Sequence, residues 1–389
     1  MGFFSGRVTF VRFRVGGGSP LPFGDEHLER VEARAIGREP AGSADGVSAG
    51  WAGGEHLLDL TFGVDKNVVD DALHLGLRID SDPLPGDLLR AYTQIELAAR
   101  AADNPSGRPT KAQRQEAKEA AKIRLEAESA DGRFRRRKLV PVLWDGRENV
   151  LYVGTTAVAT IDRLRTLFRE TFDRDLEPIS AGSLAMEQAG ARGEAEAAGA
   201  IAPLALFDGL DALNGYGTVA WADSDPSLPD YLGNEFLLWL WHSLQHDGDI
   251  VALGDGSEAT VMVAKTLTLD CPRGETGRDS LTGEGPTRQP EALRALQAGK
   301  LPRKAGLIVV RHGSQYELTL QAETLAVTGA ALPKVEGPSG PAEARVARVE
   351  SLRQLAETLD LLLDAFGRRR LGAAWAGDLG RIRDWLRAA

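Results

Sequence analysis

His242 and His246 stand four residues apart on what reads as a helix, with Asp247 and Asp249 just beyond. That spacing puts two imidazoles on one helical face, a geometry a divalent metal can use. A zincin carries Glu directly after its first His, whereas this chain has Ser243, and paired histidines at a helix end are more often structural or solvated. Cys271 is the only cysteine and precedes Pro272 with no His arranged around it, so it reads as a lone structural thiol rather than a nucleophile. Gly16-Gly17-Gly18 lacks the Lys-Ser/Thr of a phosphate-binding loop, and Gly254-Asp255-Gly256 falls in a hairpin turn, so neither supports a nucleotide site.

A stronger pattern is one of charge. Between Gly107 and Lys138, eleven Lys and Arg face five acids, which leaves the segment at +6 within a chain of net charge −10. The remainder therefore carries −16, and the positive charge is concentrated rather than general. A helix predicted from Thr110 to about Ala127 places Lys111, Arg114, Lys118 and Lys122 within roughly 80° of arc, with Ala112, Ala117, Ala120, Ile123 and Ala127 expected on the face that rests on the protein. Arg133, Arg135, Arg136, Arg137 and Lys138 follow and lead into a strand. Such an array suits phosphates, whose neutralisation releases condensed counterions. The bland alternative is a solvated helix laced with Glu and Lys pairs at i,i+4.

Composition bounds the rest. With 389 residues, 43% apolar and 26% charged, the chain has room for two or three ordinary globular domains. One cysteine excludes an intrachain disulfide and points to a reducing compartment, so a cytoplasmic location is expected. Val8 to Val15 alternates like a strand and is interrupted by arginines, unlike a signal peptide. The longest apolar run, Phe236 to Trp241, is far shorter than the roughly 18 to 20 residues a bilayer requires, so no membrane partner is expected. That run reads as core more readily than as a dimer contact.

Along the chain the pattern predicts a helix from Asp25 to Ile36, a loop from Pro40 to Gly54 around Trp51, strands at Leu57 to Phe62 and Ala72 to Ile79, and a helix from Leu88. Lys138 to Trp144 and Asn149 to Val153 form a hairpin turning at Asp145-Gly146. Thr155 or Thr156 then caps a helix to Phe172 whose inner face carries Val158, Ile161, Leu164 and Phe168. Ala185 to Ala200 reads as a linker or poorly packed helix, Asn234 to His246 as a buried helix, Ile250 to Val263 as a hairpin, and Cys271 to Pro290 as a long polar loop. A helix from Glu291 to Ala298, strands at Leu307 to Arg311 and Tyr316 to Leu320, and an amphipathic helix from Ala342 to Phe366 ended by Gly367 complete the reading. The parts divide as 1–100, 101–184, 185–290 and 291–389, an α+β chain of antiparallel sheets and long helices. Arg368, Arg369 and Arg370 either touch phosphate or complement a helix C-terminus.

An ordered series of segments resembles the recombination-associated RdgC family across most of the chain. It comprises Met1-Gly2-Phe3-Phe4, Gly50-Trp51, the Lys/Arg stripe, Gly132-Arg133-Phe134-Arg135 and Leu143-Trp144-Asp145, then Ile161 to Leu167, Leu176-Glu177-Pro178-Ile179, and Leu293 to Lys304 around Gln297-Ala298-Gly299-Lys300. The resemblance implies an elongated or horseshoe-shaped subunit that closes into a ring-shaped homodimer, with double-stranded DNA in a positively lined hole. It implies a nucleoid-associated protein that needs no cofactor, is not an enzyme, binds DNA with little sequence preference, and restrains a recombinase indirectly by limiting filament access. On this resemblance Lys111, Arg114, Lys118, Lys122, Arg133, Arg135, Arg136, Arg137 and Lys138 face the hole, joined by Lys300, Arg303 and Lys304. The chain departs from the family in a longer N-terminal half, an enlarged region from Leu204 to Arg288 and a tail after Gly367. A metal-dependent nuclease built on His242 and His246, and a protein-interaction scaffold, are the competing readings.

Overall fold

The computed structural model describes residues 2–38, 46–102, 104, 107–204, 228–271, 277–334 and 340–388. The N-terminal half runs β1 (Val8–Val15), α1 (Asp25–Ala33), β2 (Val47–Ala52), α2 (Val64–Asn67), β3 (Val68–Val69), β4 (Ala72–Ser81), α3 (Gly86–Ala102), α4 (Lys111–Ser129), β5 (Arg136–Asp145), β6 (Val150–Val153), α5 (Val158–Phe172) and β7 (Leu176–Pro178). There follow α6 (Ala181–Ala191), α7 (Ala195–Gly199), α8 (Leu232–His246), β8 (Ile250–Ala252), β9 (Glu258–Asp270), β10 (Asp279–Gly283), α9 (Pro290–Gln297), β11 (Leu301–Arg311), β12 (Ser314–Gln321), β13 (Val327–Ala331), α10 (Pro341–Leu371) and α11 (Trp375–Ala388). The chain is mixed α+β, with eleven α-helices among the described residues and one large antiparallel sheet in the order β10-β9-β11-β12-β13-β1-β6-β5-β4-β2.

β1 is the seam of that sheet. Val8 and Phe10 pair with β13, whereas Val11 to Arg14 pair with β6 and Phe13 to Val15 with β7. Strand periodicity then loads both faces. Val11, Phe13 and Val15 join Trp51, Leu75, Val142, Leu164 and Phe168 in a core covered by α1 and α5. Phe10 and Tyr152 join the larger core under α6, α8 and α10. The β9, β11 and β12 strands alternate buried and more exposed positions, as expected of an antiparallel sheet with one face on the core. Phe236 to Trp241 lies inside the larger core. Gly233 lets α8 approach the end of β12, since a Cβ there would fall 1.9 Å from the Ala322 carbonyl oxygen.

Several sequence expectations need correction. The part of 40–54 within the described residues is not all loop: β2 pairs along β4, with Trp51 buried and its indole N–H donating to Thr171 at 2.8 Å. Leu57 to Phe62 forms no strand; it wraps around Asp59, whose oxygens accept from Glu55 N, Thr61 N, Thr61 Oγ1 and Lys66 Nζ. Burial opposes ionisation of that carboxyl, yet these donors, Lys66 foremost, hold its pKa down at about 2. The residue capping α5 is Ala157 rather than a threonine, and Val158 is 65% exposed. Ala185 to Ala200 is no linker: it forms most of α6 and all of α7, with Ala189 and Ala198 buried. β10 occupies part of the expected polar loop, whose residues 272–276 fall outside the described residues, as do 205–227 of the enlarged region. α10 continues through Gly367 to Leu371 because Arg368, Arg369 and Arg370 find Asp364, Asp378 and Glu235 as partners. These three arginines are therefore engaged within the protein.

His74 on β4 is 3% exposed, and neither ring nitrogen has a hydrogen-bond partner. Burial first, then the nearby Arg345 and Lys66 charges, lower its pKa to about 3. The unfolded chain binds this proton near the ordinary value of 6.5 and the folded chain near 3, so stability is full above 6.5 and falls as the pH drops toward 3. Unfolding free energies from urea titrations at pH 7.5 and 4.5 should differ by about 2 to 3 kcal/mol more in the wild type than in His74→Leu. An equal pH dependence in both would remove His74 from the acid response.

Candidate nucleic-acid interface

α3 and α4 pack chiefly on each other as an antiparallel helical hairpin that stands away from the sheet. Their direction follows from contacts along their length: Tyr92 Oη donates to Glu128 at 2.6 Å, Arg100 lies 3.9 Å from Glu116, and Asn104 Nδ2 donates to Gln113 at 2.6 Å. α3 buries no residue, and α4 buries only Ala117, Ala121 and Leu125. Thr110 starts α4 with a capping box: its Oγ1 accepts from Gln113 N, and the Gln113 side chain accepts from Thr110 N. The expected inner face is corrected accordingly. Ala112, Ile123 and Ala127 are exposed, and the buried line runs at i, i+4, i+8 beside the basic stripe rather than opposite it.

The stripe itself is solvent-facing. Lys111, Arg114 and Lys118 are exposed, and among the described residues none has a carboxylate partner; Lys122 lies 3.6 Å from Glu126. The run after α4 divides by strand parity. Arg136 and Lys138 project to the face whose next members, Val140 and Val142, enter the α1/α5 core, and neither is paired with an acid among the described residues. Arg137 projects to the other face, opposite Asp80 in the β4–β5 register and 3.5 Å from its carboxylate. Arg135 makes a forked contact to Asp82, with Nη2 3.0 Å from Oδ2, and Arg133 one to Asp131 at 2.8 Å. Hydrogen bonds from Arg133 hold the Asp131 carboxyl below its usual range. The Arg133 and Arg135 pairs are substantially exposed on both sides, and exposed ion pairs add little to stability and yield to a stronger anion.

The second group is elsewhere. Lys300, Arg303 and Lys304 lie at the start of β11, five strands from β5, or about 24 Å at ordinary strand spacing. Lys300 donates to Asp279 at 2.6 Å, and Arg303 donates to Asp270 at 3.1 Å and lies 3.5 Å from Glu323; both side chains are largely buried. Lys304 alone of the three is exposed. These three thus lie apart from the cations of α4 and β5, and two of them are held by carboxylates. Sequence reasoning missed the acids that divide the basic run, Asp80 and Asp82. Their signal was the continuation of β4 past Ile79 into register with Arg137.

His242 and His246 stack at 4.4 Å between ring centroids, with Trp385 edge-on to both. Burial, then the His246 charge, lowers the His242 pKa to about 4, and His246 Nδ1 lies 2.9 Å from the His242 carbonyl oxygen. Among the described residues no group of three or more His, Cys, Asp or Glu side chains is placed to hold a metal. Cys271 is buried. No described helix is long and apolar enough to cross a membrane.

No protein-family model matches this chain, and no curated protein matches it.

The capping box predicts a local effect. Thr110→Ala should weaken α4 by about 1 kcal/mol, seen as faster amide hydrogen exchange across the first turns of α4 with β5 amides unchanged. Uniform acceleration through the sheet would show that the arm does not open independently.

Proposed function

We propose that this chain is an RdgC-like protein that binds double-stranded DNA through phosphate contacts, without sequence preference and without catalysis, and so limits recombinase access to the duplex. The observation that carries this reading is the unneutralised exposed set Lys111, Arg114, Lys118, Arg136 and Lys138, displayed on a projecting helical arm and the strand that follows it. Phosphate recognition needs point charges in a row and no base-reading edge, and this set supplies that. The forked pairs of Arg133 and Arg135 with Asp131 and Asp82 place further guanidinium groups beside the row, open to exchange with phosphate. An acidic remainder repels polyanions everywhere else, so binding is confined to the arm side. Lys300 and Arg303, held by their own carboxylates, contribute little to this interface.

A ring-shaped homodimer belongs to the same proposal. Ile95 and Ile123, 55% and 63% exposed, are large apolar side chains of the arm open to a second copy. Nucleoid association in the cytoplasm follows from the partner.

Fluorescence anisotropy with two unrelated duplexes of equal length tests the reading. Lys111→Gln, Lys118→Gln and Lys138→Gln combined should weaken both equally and reduce the slope of log K against log salt by about 2 to 3. No binding by the wild type, or an unchanged slope in the variant, defeats it. Sedimentation should give a dimer that Ile95→Asp with Ile123→Asp converts to monomer; a dimer unaffected by that pair excludes the arm from ring closure.

A further inference from the structure

At the foot of the arm the chain leaves α4 and enters β5 through a tight turn at Gly132, whose φ of 75° lies in the left-handed region that favours glycine. Gly132 N donates to the Ser129 carbonyl at 2.8 Å, and Arg135 N donates to the Gly132 carbonyl at 2.9 Å. The turn sets Asp131 and Arg133 side by side. Asp131 Oδ1 accepts from Arg133 N at 3.0 Å and from Arg133 Nε at 3.1 Å, while Oδ2 accepts from Nη2 at 2.8 Å. Arg135 crosses the same turn, its guanidinium carbon 3.5 Å from where a Gly132 Cβ would stand, and forks onto Asp82, just past the end of β4, at 3.1 and 3.0 Å. Two guanidinium forks and two carboxylates are thus collected where the arm joins the sheet.

A carboxylate and a DNA phosphate offer a guanidinium the same thing, two anionic oxygens that accept parallel N–H bonds. Asp131 and Asp82 therefore occupy the donors of Arg133 and Arg135 that a phosphate would use. Asp80, the third acid near this run, is different. It lies 3.5 Å from Arg137 but is only 14% exposed, and it takes two hydrogen bonds from Arg78 at 2.7 and 2.6 Å, which fix it in the sheet. Asp131 and Asp82 have no second cation among the described residues, and their side chains are 55% and 36% exposed. Both can return to water at little cost.

We propose that Asp82 and Asp131 are internal competitors of the DNA backbone, a regulation of the interface that rests on the DNA-binding reading above. Each holds its arginine in the forked form, and each must give way before a phosphate takes its place. An isolated anion gains little by the exchange, since one charge-assisted pair replaces another. A duplex already seated on Lys111, Lys118, Arg136 and Lys138 presents its phosphates to the junction at high local concentration, and there the exchange proceeds. The two carboxylates hold Arg133 and Arg135 in reserve and keep attachment reversible.

Fluorescence anisotropy with one labelled duplex at about 0.15 M salt, where charges farther apart than about 8 Å are largely screened, tests this. Asp82→Asn and Asp131→Asn should each tighten binding roughly two- to fivefold, and the two together should steepen the slope of log K against log salt by about 1 to 2. Glu119→Gln removes an exposed carboxylate of α4 that has no ion pair among the described residues, and it should change affinity less than about twofold. The gain should vanish when Arg133→Gln and Arg135→Gln are added to the double variant. Tighter binding is an outcome that a misfolded variant cannot produce. If the wild type binds DNA while the Asp variants bind no better than the wild type or Glu119→Gln, or if the gain survives loss of both arginines, this inference is overturned and the DNA-binding reading stands. Absence of binding by every one of these proteins defeats both.

Discussion

Everything in this molecule is hung on one strand. β1 accepts β6 and β7 from the N-terminal half and β13 from the C-terminal half, so two groups of strands become one sheet only through its backbone hydrogen bonds. Its side chains repeat the arrangement in the perpendicular direction: Phe13 and Val15 enter one core, Phe10 enters the other, and Arg12 reaches α10 through Asp360. α10 adds a second fastening. Arg353 binds Asp145, a fully buried carboxylate at the end of β5, and Asp70 in the turn before β4. Removing a partner from such a cluster leaves an uncompensated charge in the interior, so these links act as locks on geometry more than as sources of net stability.

The positioning of the basic groups follows from this frame. β5 is held along its whole length by β4, and that register decides which arginines meet Asp80 and which do not. Four consecutive cations, Arg135 to Lys138, thereby become two kinds of residue: two paired with acids from the end of β4, and two unpaired among the described residues. The arm adds charge without burying it, since α3 and α4 spend their apolar contacts on each other.

Long periodic elements were legible in the sequence, and so was the hairpin. α4, α8 and the β5–β6 pair lie where spacing and turn residues place them, within a turn at their ends, and α10 begins where expected but runs five residues past Phe366. What escaped were features set by tertiary partners. Trp51 sits among Gly, Ser and Ala, yet pairing with β4 and the Thr171 hydroxyl make its surroundings a strand. Gly367 carries the signal of a helix end, which three ion pairs from the residues after it override. The Ala-rich stretch after Ala185 looks loosely packed, although small side chains are what allow α6 to lie close to α8 and α10. On the basic stripe, charge and period were readable, but the buried line beside it depended on where α3 lies. The carboxylates that temper the strand cations come from a distant stretch, and only register reveals them.

The seam also has a bearing on how the chain reaches its shape. Arg7 donates to Gly329, 322 positions away, and β1 completes its ladder with β13 in the same neighbourhood. Contacts of such separation in sequence must overcome the entropy of closing a very long loop, which makes them slow to form. As the polypeptide emerges in order, β1 can settle on β6 and β7 early, while its Val8 to Phe10 stretch waits for β13 with bare amides and carbonyls until nearly all the remaining strands have appeared. During that interval the edge is a template for any extended peptide, and folding of this protein is most exposed to mispairing there.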